Sequence, residues 1–551
     1  MKNFKDKVIY QIYPKSFKDT SGNGIGDLRG IIEKLDYLQN LGVDYLWITP
    51  FFKSPQNDNG YDIEDYYKID PSYGTMEDLQ ELIEKAKKKN IYLMLDMVFN
   101  HTSTKHTWFK KALDGDQFYK KFYFFKKNEG NPPTNWKSKF GGSCWEYIED
   151  LDEYYLHLYD KSQADLNWEN PNVRKELIKV LNFWLEKGVK GFRFDVINVI
   201  SKDKFENDYQ GDGRSFYTDG KKVLEYLKEL NENSFGKYDD VLTVGEMSST
   251  SIENCIKYTN PENNVLDMAF NFHHLKVDYK DGDKWTYMPV DFEKFKNLMY
   301  KWQVEMEKGN GWNALFLNCH DQPRSVSRFG DDKKYHKESS KMLATLIHMQ
   351  EGSPYIYQGE EIGMTNNYFT DIDDYRDVET INYYNISPNQ SLSDLAENIS
   401  EDEIYKIIQE KSRDNARSPM QWTKYGGFTS NNPWMKQNKN TKYINVEDNL
   451  NNKNSIFYYY KKLIEIRKKY KVVSEGLYVP YLKDYDRVYA FKRLYKDEEL
   501  LVINNLYGEK TRVDIENIGD YKILISNYKE NNLKENLNLR EYEAIVLYKK
   551  A

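Results

Sequence analysis

Short apolar runs alternate with longer amphipathic stretches from the start of the chain. Val8–Tyr13, Tyr45–Ile48 and Ile91–Val98 are apolar runs of strand length. Between them, Leu28–Asn40 and Met76–Lys89 carry apolar residues at the spacing of one helix face. Strands that alternate with helices at this spacing predict βαβ units, and therefore a parallel sheet.

The alternation stops after residue 101 and resumes near residue 171. The segment between is rich in aromatic residues, Gly, Pro and Asn, which predicts a small inserted domain. Five further strands are predicted at Gly191–Asp195, Val241–Gly245, Leu266–Asn271, Ala314–Cys319 and Pro354–Tyr357. Further helices are predicted at Val173–Glu186, Val223–Leu230, Phe292–Lys308, Lys341–Gln350 and Asn454–Tyr470. Eight strands are the number in a (β/α)8, or TIM, barrel, which is an α/β fold.

The predicted organisation has three parts. Residues 1–101 and 171–473 form the barrel, and residues 102–170 form the domain inserted after the third strand. A polar excursion over residues 365–415 follows the eighth strand. From residue 474 onward, short β runs at Val488–Leu494, Glu499–Ile503 and Glu543–Tyr548 predict a C-terminal antiparallel β-sandwich domain.

Composition excludes several classes of protein. With 39% hydrophobic residues in 551, the chain can bury a large core. A net charge of −8 without a basic tract does not favour nucleic acid or an anionic membrane as a partner. No apolar run approaches the about 18 residues of a membrane span, and the N-terminus lacks the apolar core of a signal peptide. We expect a monomer that acts on a small molecule.

The three cysteines are Cys144, Cys255 and Cys319, and they lie far apart in the sequence. An odd number without a C-x-x-C pair predicts neither a disulfide framework nor a zinc site. Free thiols are typical of a reducing compartment, so a cytoplasmic location is expected.

Acidic side chains come at the ends of several predicted strands, where a barrel places its active site. Asp96, Asp195, Glu246 and Asp321 each follow an apolar run. A single strand-end Asp can simply cap a helix, but four such strand ends at one mouth favour chemistry. Arg193 lies two residues before Asp195 on the same strand, so both side chains face the same way.

Two of these carboxyl groups suit retaining glycoside hydrolysis, which needs a nucleophile and a proton donor about 5 Å apart. Asp195 suits the nucleophile, because the Arg193 cation beside it lowers its pKa. Glu246 suits the acid/base, because burial and nearby carboxylates favour its protonated form.

Three more residues suit substrate binding. Asp321 can hold sugar hydroxyls and favour a distorted ring, and His101 and His320 can donate to hydroxyls. For the two histidines, a purely structural role is the alternative.

Four motifs in order resemble the signature regions of glycoside hydrolase family 13, the α-amylase family. They are Asp96-Met-Val-Phe-Asn-His, Gly191-Phe-Arg-Phe-Asp, Gly245-Glu246 and Asn318-Cys-His-Asp. The resemblance covers nearly the whole chain. It implies the barrel fold, retention of the anomeric configuration, and catalytic roles for Asp195, Glu246 and Asp321. A non-catalytic relative, such as a transporter subunit, would not need all three.

Further motifs are similar to the exo-acting α-glucosidase branch of that family. They are Asp58-Asn-Gly-Tyr-Asp, Gln163-Ala-Asp-Leu-Asn and Arg413-Asp-Asn-Ala-Arg-Ser-Pro-Met-Gln-Trp. The resemblance implies that Asp58, Tyr61 and Arg417 close the pocket around the non-reducing glucose. Arg413 is the other candidate for the position assigned to Arg417.

Within this branch the chain looks most like the members that act on a phosphorylated disaccharide. Tyr10-Gln-Ile-Tyr-Pro-Lys-Ser-Phe, Gly245-Glu-Met-Ser-Ser-Thr and Asn271-Phe-His-His-Leu-Lys carry the likeness, with the stretch from Trp312 to Arg324. The implied reaction is hydrolysis of trehalose 6-phosphate to glucose and glucose 6-phosphate. An oligo-1,6-glucosidase or a broad exo-α-glucosidase acting on unphosphorylated oligosaccharides is the alternative.

Two lysines after the sixth predicted strand, Lys276 and Lys284, are candidates for the phosphate site. A lysine ammonium is a good point-charge partner for phosphate. A solvated lysine face is the alternative interpretation of both.

A loop after the first predicted strand spaces oxygen-bearing residues like a calcium loop. The candidate ligands are Asp19, Ser21, Asn23, Ile25 and Asp27. Ser21 and Asn23 reduce its charge, and a glycine-rich turn with an Asx cap is the alternative. Such an ion would be structural, since catalysis requires no cofactor.

Overall fold

In the computed structural model, which describes residues 4–386, 400–529 and 533–550, eight parallel strands form one sheet. They are β1 (Ile9–Ile12), β2 (Tyr45–Ile48), β3 (Tyr92–Met97), β4 (Gly191–Phe194), β5 (Leu242–Glu246), β6 (Met268–Phe270), β7 (Ala314–Leu315) and β8 (Ser353–Tyr357). Their hydrogen-bonded order is β6-β5-β4-β3-β2-β1-β8-β7. Strands that follow one another in the chain are neighbours in the sheet, and β8 lies beside β1, as barrel topology requires. The predicted fold class is confirmed.

Helices connect these strands, and polar side chains start several of them. The α-helices of the described residues are Leu28–Glu33, Leu35–Leu41, Met76–Lys88, Thr107–Leu113, Gln117–Lys120, Pro171–Glu186, Val223–Asn233, Ile252–Thr259, Phe292–Lys308, Ser325–Phe329, His336–His348, Val378–Ile386, Glu401–Lys411, Asp414–Arg417, Val446–Asn451, Ile456–Lys469 and Lys471–Glu475. Asp27, Asn170 and Asp291 each accept a backbone N–H of the first turn that follows. These caps satisfy amide groups that lack a partner within the helix.

Two expectations differ from the structure. The stretch predicted as one helix from Leu28 to Asn40 is two helices, because the Lys34 N–H bonds the Ile31 oxygen and tightens the turn there. The polar excursion over residues 365–415 contains helices, among them Val378–Ile386 and Glu401–Lys411, and residues 387–399 lie outside the described residues.

The chain divides into two compact units. The first comprises Trp47–Lys88 and Tyr92–Phe272, and includes β3 to β6. The second comprises the described residues of Asn3–Leu46, Lys89–Ile91 and His273–Ala551, and includes β1, β7 and β8. These units are not the three parts proposed from the sequence, and the predicted domain boundaries stay a prediction.

The segment inserted after β3 contains small antiparallel sheets within the first unit. His101–Ser103 pairs with Gln163–Asp165, and Phe125–Lys127, Glu153–Leu156 and Trp145–Ile148 form a three-stranded sheet. The register places His101 opposite Asp165. This pairing fixes the start of the inserted segment against its end.

The C-terminal part of the second unit is antiparallel β structure. Its strands are Leu477–Tyr481, Val488–Tyr495, Glu498–Asn505, Thr511–Asp514, Lys522–Ser526, Asn536–Leu539 and Ala544–Lys550. A five-stranded and a two-stranded sheet share a core that includes Leu501, Ile503, Val513, Leu539 and Leu547. Several strands place alternate residues in this core, such as Leu501 and Ile503 or Ile545 and Leu547, as the period of a strand requires. No helix of the described residues is long and apolar enough to cross a membrane.

Candidate active site

One guanidinium group in the first unit binds three carboxylates. Arg193 Nη1 donates to Asp96 Oδ1 and to Asp195 Oδ1, each at 2.6 Å, and Arg193 Nη2 donates to Glu246 Oε2. All four side chains are buried or nearly so. They come from the ends of β3, β4 and β5, which are neighbours in the sheet. The sequence-based prediction that Arg193 and Asp195 face the same way agrees with this geometry.

Charge balance in this cluster favours retention of a proton. Burial raises the pKa of Asp195 well above its ordinary value, Arg193 opposes that shift, and Glu246 and Asp96 add to it. Asp195 and Glu246 contact the two terminal nitrogens of the same guanidinium group. Arg193 acts to lower the pKa of Asp195, as expected, but burial and the two other carboxyl groups outweigh it. Carboxyl groups that lie close together beside one cation retain a proton more readily than a single carboxyl group does.

The residue after Asp195 has a strained backbone. Val196 has φ 36° and ψ 40°, in the left-handed region that a β-branched residue rarely adopts. This turn directs the Val196 N–H toward Glu246 Oε2, at 3.3 Å. Strain of this kind costs on the order of 1–3 kcal/mol and persists at functional sites because the surrounding structure imposes it.

Aromatic donors hold the third carboxylate of the cluster. Trp47 Nε1 and Tyr61 Oη each donate to Asp96 Oδ2 at 3.0 Å. Tyr61 follows a turn at Gly60, where φ is +104° and a Cβ atom would lie 2.8 Å from the Pro50 oxygen. Only glycine fits that position, so Gly60 sets the direction in which Tyr61 leaves the turn.

A buried amide connects Asp58 and His101. Gln163 Nε2 donates to Asp58 Oδ2 at 3.1 Å and also lies 3.1 Å from His101 Nε2. Burial lowers the pKa of His101 to about 4, although Asp165 acts in the opposite direction. His101 is therefore neutral at physiological pH. The first unit thus brings together Asp58, Tyr61, His101, Arg193, Asp195 and Glu246.

The second unit holds a separate cluster around Asp321. His320 Nε2 lies 3.0 Å from Asp321 Oδ2, and Gln11 Nε2 lies 2.7 Å from His320 Nδ1. An amide nitrogen can only donate, so His320 Nδ1 accepts and Nε2–H donates to Asp321. Arg417 Nη2 donates to Asp321 Oδ1 at 2.8 Å, and Arg417 Nε donates to the His320 oxygen at 2.9 Å.

A histidine donor and two arginine cations keep Asp321 ionised. Burial acts to raise the pKa of Asp321, but His320, Arg413 and Arg417 outweigh it and hold the pKa well below its ordinary value. Both arginines reach the same oxygen, with Arg413 Nη1 at 3.3 Å from Asp321 Oδ1. Both arginines therefore belong to this cluster, and the assignment of Arg417 to the sugar pocket stays a prediction.

An ion-pair network extends from Arg413 to one of the predicted lysines. Arg413 Nη2 lies 2.5 Å from Asp377 Oδ1, and Arg413 Nε lies 3.5 Å from Glu379 Oε2. The same Glu379 oxygen lies 2.6 Å from Lys284 Nζ, whose side chain is 16% exposed. Lys284 is thus a paired and largely buried cation instead of part of a solvated face. Lys276 is half-buried, and its N–H bonds the His273 oxygen.

The candidate calcium loop is held by its own hydrogen bonds. Asp19 Oδ1 accepts from the N–H groups of Ser21 and Gly22, and Asp19 Oδ2 accepts from Gly24 N–H and Thr429 Oγ1. Asn23 Oδ1 accepts from Ile25 N–H, and Asp27 caps the helix that starts at Leu28. The oxygens of Asp19, Asn23 and Asp27 thus accept hydrogen bonds within the loop and from Thr429. Calcium binding itself stays a prediction.

Three polar residues of these clusters were not predicted as site residues. They are Gln11, Gln163 and Asp377, and the contact between Asp96 and Arg193 was also not predicted. Each lies far in sequence from its partner, and Gln11 and His320 are 309 positions apart. A single sequence offers no local signal for such pairs.

Comparison with known proteins gives a family and several relatives. Residues 11–476 match the family described as "Alpha amylase, catalytic domain", and residues 488–546 match "Alpha-amylase SusG C-terminal domain". The trehalose-6-phosphate hydrolase of Bacillus subtilis (strain 168) is 53% identical, covering 98% of this chain and 97% of that protein. The oligo-1,6-glucosidase of Bacillus cereus is 47% identical, covering 98% of both. A crystal structure of Bacillus licheniformis trehalose-6-phosphate hydrolase is 54% identical, with a TM-score of 0.94 and 99% of both chains covered.

Proposed function

The chain belongs to the α-amylase family of glycoside hydrolases, and on that premise we propose that it hydrolyses trehalose 6-phosphate to glucose and glucose 6-phosphate. The observation that supports this choice of substrate is the full-length likeness to proteins named trehalose-6-phosphate hydrolase. The likeness to an oligo-1,6-glucosidase is lower, at 47% against 53% identity, and supplies the second candidate function.

The cluster around Arg193 supplies the groups for a double displacement. Asp195 attacks the anomeric carbon of the unphosphorylated glucose while Glu246 transfers its proton to the glycosidic oxygen. That bond breaks, glucose 6-phosphate leaves, and an ester joins glucose to Asp195. Glu246 then accepts a proton from water, whose oxygen attacks the anomeric carbon and releases glucose and the Asp195 carboxylate. Two inversions retain the α configuration.

The spacing of the two carboxyl groups supports retention over inversion. Inverting enzymes keep their carboxyl groups about 6.5–9.5 Å apart to admit a water molecule between nucleophile and substrate. Asp195 Oδ1 and Glu246 Oε2 contact the two terminal nitrogens of one guanidinium group, which keeps the two carboxyl groups close together. Arg193 contacts both groups, so it can keep Asp195 ionised as Glu246 loses its proton.

The family resemblance assigns the remaining sugar contacts. Asp58 and Tyr61 in the first unit, with His101, are proposed to hold the non-reducing glucose. In the second unit, Asp321 is proposed to hold hydroxyl groups and favour a distorted ring, supported by His320 and Arg417. The low pKa of Asp321 supports this role, since an ionised carboxylate accepts hydrogen bonds from two hydroxyl groups.

Lys276 and Lys284 are proposed to meet the 6-phosphate of the leaving sugar. Lys284 is supported by its place in the network that reaches Asp321 through Glu379 and Arg413. A phosphate dianion is a stronger partner for an ammonium than a single carboxylate, so it can compete with Glu379 for Lys284. We also propose a cytoplasmic location, because Cys144, Cys255 and Cys319 are buried free thiols. A monomer is proposed as the oligomeric state.

A substrate panel tests the proposed function. The values of kcat/KM are measured for trehalose 6-phosphate, trehalose, isomaltose and a chromogenic α-glucoside. We expect trehalose 6-phosphate to exceed trehalose by at least about 100-fold, since two charge-assisted contacts each contribute about 1.5–3 kcal/mol. A preference for isomaltose would favour the oligo-1,6-glucosidase instead, and no activity on any of them would contradict both candidates.

A further inference from the structure

A lysine outside the assigned clusters is buried beside His101. Lys202 Nζ lies 2.8 Å from each of three oxygens: Asp165 Oδ2, Asn100 Oδ1 and the Val199 backbone oxygen. The Lys202 and Asp165 side chains are fully buried. All three N–H groups of the ammonium therefore have acceptors, which a buried cation requires.

This ammonium fixes the orientation of the Asn100 amide. Because Lys202 can only donate, the Asn100 atom that faces it is the carbonyl oxygen. The amide nitrogen of Asn100 must then point the other way, and it lies 3.1 Å from Asp165 Oδ2 and 3.3 Å from His101 Nδ1. Asn100 thus presents a donor to the His101 ring.

The orientation of Asn100 decides between two tautomers of His101. With the proton on Nε2, Nδ1 accepts from Asn100 and Nε2–H donates to the Tyr61 oxygen at 3.2 Å. With the proton on Nδ1, Nε2 can accept from Gln163, but Nδ1–H meets the Asn100 amide donor and the Tyr61 oxygen loses its donor. Each tautomer has one donor–donor contact, the first with Gln163 Nε2 and the second with Asn100 Nδ2. The first tautomer is favoured because it makes two hydrogen bonds and the second makes only one.

We propose that Lys202 is a positioning residue that keeps His101 in the Nε2–H tautomer by locking the Asn100 amide. The single N–H of the ring then lies on Nε2, where it bonds the Tyr61 oxygen and can be shared with a substrate hydroxyl. Without the ammonium, Asn100 can turn its oxygen toward Nδ1–H, and Gln163 can then donate to Nε2. His101 Nε2 would become an acceptor only. The role of His101 as a donor to substrate rests on the proposed function, whereas its tautomer does not.

The experiment uses the full-length protein with 15N-labelled histidine. Heteronuclear NMR through the ring protons tells which ring nitrogen carries the proton, and His101→Asn identifies the His101 signals. Lys202→Met/Asp165→Asn removes the ammonium without leaving an unpaired buried carboxylate. Lys411→Met is the matched control, because Lys411 is also a buried lysine, and its ammonium contacts Asp278 at 2.7 Å and the Asp278 backbone oxygen at 2.9 Å.

In the wild type and in Lys411→Met we expect the Nε2–H tautomer. In the double variant Lys202→Met/Asp165→Asn we expect the His101 proton to move to Nδ1. We also expect kcat/KM for trehalose 6-phosphate to be lower by about tenfold or more. An Nδ1–H tautomer in the wild type, or an unchanged tautomer in the double variant, would overturn the proposal. Lys202→Gln provides a second variant that retains a donor, and it should keep a larger Nε2–H fraction than the double variant.

The NMR measurement needs no substrate. A protein that fails on trehalose 6-phosphate but shows the tautomer shift would contradict the proposed function and leave the inference about Lys202 intact. A protein that hydrolyses trehalose 6-phosphate but shows no tautomer shift in the double variant would contradict only the inference about Lys202.

Discussion

Arg193 Nη1 lies 2.6 Å from Asp195 Oδ1, and the two residues are separated by only Phe194 along the chain. The same nitrogen contacts Asp96, and Nη2 contacts Glu246. A single cation thus offsets three buried carboxyl groups. We expect removal of this cation to lower the stability of the fold, because it would leave buried carboxylates unpaired, and to raise their pKa values.

Arg193→Gln should remove most activity and shift its pH dependence. The reaction needs an ionised Asp195, and loss of the cation that lowers its pKa moves the acid limb of kcat/KM to higher pH. Removal of one partner from a buried ion pair costs about 3–5 kcal/mol, so the free energy of unfolding should fall as well. Urea unfolding and pH–rate profiles measure both effects. Arg174→Gln, which breaks a more exposed pair with Glu229, should leave the profile unchanged, and an unmoved acid limb in Arg193→Gln would refute the assignment.

Azide should rescue the two catalytic variants with opposite stereochemistry. In Glu246→Ala, an activated substrate still forms the glucosyl-enzyme, and azide replaces water to give an α-glucosyl azide. In Asp195→Ala, azide takes the place of the carboxylate and gives the β-glucosyl azide. Product analysis by NMR distinguishes the two. The same anomer from both variants would mean that the roles of Asp195 and Glu246 are assigned incorrectly.

Lys276→Ala and Lys284→Ala should each lower the preference for trehalose 6-phosphate over trehalose. The expected loss is about 10–100-fold per lysine, the range for a charge-assisted hydrogen bond. Lys280→Ala is the control, because Lys280 is exposed in the same segment. Relative kcat/KM on the two substrates is the measurement. If both variants keep the wild-type preference, the phosphate is bound elsewhere.

The loop at Asp19 should depend on its hydrogen bonds more than on a metal ion. Asp19→Ala leaves the N–H groups of Gly22 and Gly24 without acceptors and should lower the free energy of unfolding by about 1–3 kcal/mol. Treatment with EDTA should leave Tm unchanged. Thermal unfolding with EDTA and with added Ca²⁺ measures this, and a calcium-dependent rise in Tm that Asp19→Ala abolishes would instead favour a calcium site.

Local patterns were sufficient for the barrel and for the strand-end acids. The period of apolar residues depends on neighbours within a few positions, so it predicted strands and helices without knowledge of their packing. The buried ion pair of Lys284 was harder to predict. Lys284 and Glu379 lie 95 residues apart, and nothing near Lys284 in the sequence indicates a buried ion pair.

The barrel and the order of the acidic strand ends could be predicted from the amino-acid sequence, and the family motifs add which carboxyl groups are proposed to carry the reaction. The electrostatics of the site could not: Arg193 contacts Asp96, Asp195 and Glu246 together, and Lys202 orients Asn100 beside His101. The difference lies in the range over which each property is set. Secondary structure follows from neighbours in the chain, whereas pKa values and tautomers follow from charges and donors within a few ångströms in space.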